Sequence, residues 1–192
     1  MRRHRILAAA AAALVLTVTA CGGDGSGLPY DDRESVGQIA LFDAQSHPVT
    51  KGNVNDKPFV TYAVSDQKAP QPYDQPGRTA TLLAFLPRHG VNPTDWEGDF
   101  MTLSTTYSDA NRPTARGSTE NASLAEFMKV FHPEWDGLIQ LRIYLGVPGA
   151  PAKTDRYASA NIRVNGDAWS LVGDMPNIPD GPASTEPTGG TR

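Results

Sequence analysis

Cysteine is all but missing from this chain of 192 residues: Cys21 is the only one. One thiol excludes an internal disulfide framework and a cysteine-rich zinc site. Histidine is scarce too, with four residues, and their spacing forms neither H-x-x-H nor H-E-x-x-H. Positive charge is in deficit, at 17 Lys and Arg against 21 Asp and Glu. Such a chain lacks the clustered cations that displace counterions, so no nucleic-acid partner is expected. Electrostatic docking on anionic lipid is disfavoured for the same reason. No phosphate-cradling glycine loop opens a helix, and no G-x-S-x-G elbow occurs. The longest apolar run, Ile6 to Val18, is thirteen residues. That is short for about 30 Å of hydrocarbon.

That run has another use. A basic stretch, Met1 to Arg5, precedes it, and Val18-Thr19-Ala20-Cys21 ends it. Basic residues, a short apolar core and a small-residue cleavage site make an export signal. The last four residues resemble the lipobox of bacterial lipoprotein precursors. The resemblance covers residues 1–21 only. It implies a diacylglyceryl group on the Cys21 thiol, cleavage between Ala20 and Cys21, and a palmitate-bearing protein on the extracytoplasmic face of the cell membrane. Two acyl chains suffice for stable anchoring, because each buried CH₂ contributes roughly 0.8 kcal/mol. Losing Arg2, Arg3 and Arg5 would take the formal charge from −4 to −7.

Residues 21–27 read as a lipidated flexible tether, since Gly22-Gly-Asp-Gly-Ser-Gly27 can bury nothing. Residues 173–192, rich in proline and glycine, read as a disordered tail, unless Ile178 pins part of it to the body. Between them, residues 28–172 form a single domain in which apolar residues alternate in short runs, the strand period. Strands are expected at Val36–Phe42, Phe59–Val64, Arg78–Leu86, Phe100–Tyr107, Leu138–Leu145, Tyr157–Val164 and Trp169–Val172. In the fourth, Met101, Leu103, Thr105 and Tyr107 share a face. In the fifth, Ile139, Leu141, Ile143 and Leu145 point inward while Gln140, Arg142 and Tyr144 point outward. Asn165-Gly166 is a hairpin signal. Ser123 and Glu126 fit a capping box, followed by Leu124, Phe127, Met128 and Phe131 at helical spacing. Pro133 stops that helix. The expected class is all-β: an antiparallel immunoglobulin- or fibronectin-like sandwich of about seven strands with one short helix, or else a small barrel.

Chemistry is sparse in this body. Ser65-Asp-Gln-Lys68 matches S-x-x-K by letter but lacks the S-D-N and K-T-G companions. His47, His89 and His132 each lie beside Pro or Gly and read as loop residues. Asp95, Glu97 and Asp99 alternate around Trp96 and Gly98, and oxygens so spaced are a weak calcium candidate. Tyr73 and Trp96 fall in loops, where an exposed ring can stack on a ligand. Trp135 is expected to plug one end of the domain, and Trp169 to be core. No catalytic residue and no cofactor is assigned. The expectation is a membrane-anchored, non-catalytic binding module whose partner is an envelope protein or a wall polymer. The alternative is an envelope hydrolase built from Asp95, Glu97, Asp99 and His89.

Overall fold

The computed structural model describes residues 27–179, 181 and 182. The expectations placed on residues 1–26, Cys21 included, lie outside the described residues, as do those on residues 180 and 183–192. Among the described residues no helix is long and apolar enough to cross a membrane.

The fold is mostly β. The elements are β1 (Ser35–Phe42), β2 (Lys51–Asn53), β3 (Tyr62–Ser65), β4 (Thr79–Phe85), β5 (Gly98–Phe100), β6 (Thr105–Thr106), β7 (Thr114–Arg116), α1 (Leu124–Val130), β8 (Leu138–Gly146), β9 (Lys153–Asn165) and β10 (Ala168–Val172). They join one mixed sheet along the path β5-β4-β8-β9-β1-β3-β7, with β10 and β2 continuing from β9 and β6 pairing with β4. Among the described residues ten strands replace the expected seven or so. β2 and β7 have three residues each, too few to show a period. The pairing is antiparallel except between β1 and β9. β1 changes partner along its length: Ser35 to Gln38 follow β9, and Ile39 to Phe42 follow β3. This carries β3 and β7 back over the sheet, where Arg116 N donates to Thr105 Oγ1 at 3.0 Å.

The core lies inside this curl. Successive strand residues face opposite sides. β4 therefore supplies Ala80, Leu82 and Ala84, β8 supplies Ile139, Leu141 and Ile143, and β9 supplies Ala158, Ala160 and Ile162. Trp169 joins them, as expected, and α1 adds Leu124 and Phe127. The capping box is present: Ser123 Oγ accepts from Glu126 N, and a Glu126 oxygen accepts from Ser123 N. A smaller cluster of Ala40, Phe42 and Val64 on the other face is covered by Met175 and Ile178.

Two strand expectations need correction. Residues 100–107 are not one strand. Met101 N and Thr102 N both donate to Leu82 O, and Thr102 Oγ1 accepts from Leu82 N. The backbone bends there, so Met101 and Tyr107 are buried while Leu103 is 70% exposed. In β8 the alternation is right, but Gln140 and Arg142 do not face water. Each is only 1% exposed, because the chain before β1 and a 3₁₀ turn at Pro93–Asp95 reach this outer face.

Candidate binding site

The outer face of β4, β8 and β9 carries two polar rows. Ladder register aligns Phe85, Gln140 and Asn161 in one, and Leu83, Arg142 and Ser159 in the other. A buried guanidinium costs several kcal/mol unless its hydrogen bonds are met. Arg142 Nε donates to Gln140 Oε1 at 2.6 Å, and Nη2 donates to Pro93 O at 2.9 Å. Its planar group also sits 4.0 Å from the Phe85 ring centroid, 4.4 Å from Tyr157 and 5.4 Å from Trp96. A cation over ring faces gains more when desolvated.

Charge balance comes from one step away. Asp32 Oδ2 accepts from Gln140 Nε2 at 2.9 Å and from Tyr157 Oη at 3.0 Å. Asp32 thus reaches Arg142 through Gln140 and Tyr157 and makes no direct bond to it. Burial pushes the Tyr157 phenol far above the usual tyrosine range, so it serves as a proton donor to Asp32. Burial does the same to Tyr30, whose hydroxyl donates to Asn161.

Beside Arg142 the β8–β9 ladder breaks. Ile143 pairs with Ala158, yet Leu145 pairs with Lys153, so Thr154 to Tyr157 bulge out opposite Tyr144. Arg156 within the bulge has φ +44°, a strained conformation for a residue with a side chain. The bulge is held from both sides. Glu34 Oε2 accepts from Arg156 N at 3.0 Å, Glu34 O accepts from Tyr157 N at 2.9 Å, and Lys153 Nζ donates to Asp155. That donation lowers the Asp155 pKa.

Bulge, strand and turn enclose a cleft of about 450 Å³, lined by Arg142, Tyr144, Glu34, Thr94 and the bulge residues. Such a volume suits a small ligand. Bulges re-aim side chains and gather at functional sites, as do strained backbones. Among the described residues, Arg142 Nη1 has no hydrogen-bond partner, and it is not sealed from solvent. Arg142 is among the residues that line this cleft. A second cleft of similar volume lies where β1 parts from β9, beside Ser35, Ser159 and Asp174, but no cation lines it.

The residues singled out by sequence scatter. Trp96 is buried at 4% exposure, and its Nε1 donates to Val91 O. It is therefore a wall of the Arg142 cage and not an exposed platform. Tyr73 is half-buried elsewhere, with its hydroxyl donating to Pro151 O and its carbonyl accepting from Tyr107. Asp95, Glu97 and Asp99 are exposed and do not converge. Asp95 ends the 3₁₀ turn, Asp99 lies in β5, and Glu97 pairs with Arg88 at 2.9 Å. Among the described residues no group of three His, Cys, Asp or Glu could hold a metal ion. His89 stacks on the half-buried Trp135, which also meets Tyr30. Ser65 Oγ is turned to its own loop, bonding Gln67. Sequence reasoning missed Gln140 and Arg142. A guanidinium in a largely apolar strand was the available signal, and alternation sent it outward. Comparison with protein families, curated proteins and solved structures finds no match for this chain.

Proposed function

We propose that this protein is a lipid-anchored, extracytoplasmic binding module of the bacterial envelope, recognising its partner through the cleft beside Arg142. The anchoring half rests on Val18-Thr19-Ala20-Cys21 at the end of an export signal. The recognition half rests on one observation: a buried guanidinium with an unpartnered N–H that lines an open cleft. The curled sheet, read as a sandwich-like scaffold, holds that cleft on rigid strands. An envelope protein or a wall polymer is the partner class.

Binding is favoured over hydrolysis by the state of the cleft carboxylates. Glycoside cleavage needs an acid with a raised pKa. Asp155 is shifted the other way by Lys153, and Glu34 is tied down by the backbone N–H of Arg156. The two halves are tested separately. Cys21→Ser is expected to abolish palmitate labelling and release a folded protein from membranes; continued labelling refutes the anchor. Cross-linking in intact cells from a photo-reactive residue at position 154 on the bulge is expected to capture an envelope component. The same capture from a residue on α1 would refute the cleft as the recognition surface.

A further inference from the structure

We propose that the cleft takes a carboxylate carried on a small polyhydroxylated compound, one carboxylate oxygen accepting from Arg142 Nη1. This deepens the binding reading and rests on it. Three observations carry the ligand class. First, Arg142 is 1% exposed and, among the described residues, makes no ion pair. A desolvated cation without a direct anion gains most from a ligand that supplies one, through a charge-assisted bond. Second, the cleft also presents the carboxylates of Glu34 and Asp155, with the exposed Arg156 beside them. Two carboxylates against that one further cation oppose a doubly charged phosphate more than a singly charged carboxylate. The one open N–H of Arg142 cannot by itself make the forked contact a phosphate would use. Third, the remaining walls are Thr94 and Thr154 with the rings of Tyr144 and Tyr157. Hydroxyls beside ring edges fit a ligand that is apolar on one side and hydroxylated on the other.

The test holds the ligand ring constant and changes one group. Glucuronate, glucose phosphate and glucose are titrated into the full-length folded protein while the ring resonances of Tyr144 and Tyr157 are followed by NMR. Glucuronate is expected to shift both and to bind at least about tenfold tighter than the other two. That is the smaller end of what a hydrogen bond to a charged group supplies. A glucuronate-containing oligosaccharide is the companion probe: tighter binding than the monomer marks a polymer-borne source, and weaker binding a free acid. Arg142→Lys keeps the charge but withdraws the planar fork, and is expected to weaken glucuronate by on the order of tenfold to a hundredfold. Should that variant fail to fold, Glu34→Gln at the half-buried rim gives the second reading: glucose phosphate should gain several-fold and glucuronate should change little. Equal affinity for all three compounds, with both tyrosines shifting, overturns the carboxylate and leaves the cleft as a binding site. No shift at either tyrosine with any probe overturns this proposal, while the cleft reading falls separately, if cross-linking from position 154 captures nothing.

Discussion

Gly52 and Gly137 are where one added methyl group says most about packing. A Cβ at Gly52 would lie 2.7 Å from Trp169 Nε1 and 3.0 Å from Cε2. Trp169 is buried at 2% exposure and cannot swing away. Gly52→Ala is therefore an overpacking change expected to cost about 1–3 kcal/mol. At Gly137 the conflict is with backbone: φ is +68°, and a Cβ would meet Val164 O at 2.3 Å. Backbone gives less readily than a side chain, and the left-handed conformation adds strain. Gly137→Ala should therefore be the more damaging of the two. Urea unfolding checks this, with midpoints falling in that order and slopes unchanged. Arg142 belongs to the same scale. Its type was visible in the sequence, but its burial was not, because burial depends on Pro93, Trp96 and Tyr157 arriving from distant parts of the chain.

α1 and the β9–β10 hairpin are the elements most readable from local sequence. α1 has seven residues, too short to be stable alone. Its start is fixed by Ser123 and Glu126, and its seat by Leu124 and Phe127 in the core. Ser123→Ala is expected to cost about 1 kcal/mol, read as a lower thermal midpoint. The Lys57 ammonium, at 2.7 Å, is the main cause holding the Glu126 pKa below its ordinary value. A lowered carboxylate pKa stabilises the fold at neutral pH, and that stabilisation is lost as pH falls through the folded-state value. The loss should be smaller in Lys57→Met. In the hairpin, Asn165 pairs with Ala168, so the two-residue loop is Gly166-Asp167. Only Gly166 has positive φ, as a type II′ turn requires. Local chemistry placed this turn to within one residue. It could not place the Thr154–Tyr157 bulge, since alternation runs straight through a break that only the partner strand reveals.

For the molecule as a whole, three tyrosines tie packing to alkaline pH. Burial raises Tyr107 from 10.0 to about 12, and raises Tyr30 and Tyr157 further. Each keeps its proton longer in the folded protein than in the unfolded chain. Their stabilisation is complete below the usual value and is lost as pH rises through the folded-state values. Unfolding free energy should therefore begin to fall near pH 10 and drop steeply toward about 12. Tyrosinate absorbance should develop in step with loss of structure. Phenols that ionise well before any structural change would contradict the burial of these rings.

The export signal, the acidic balance, the strand periods, the helix cap and the hairpin turn are properties of neighbours in the chain. The sequence by itself determined them, because signal recognition, alternation and capping act over a few residues. The partner change of β1 onto β9, the bulge opposite Tyr144 that Glu34 holds, and the network beside Arg142 that Asp32 joins depend on contacts between residues more than a hundred positions apart. Only the tertiary structure decided those. Alternation says which residues share a face of a strand, but not which face another segment will cover.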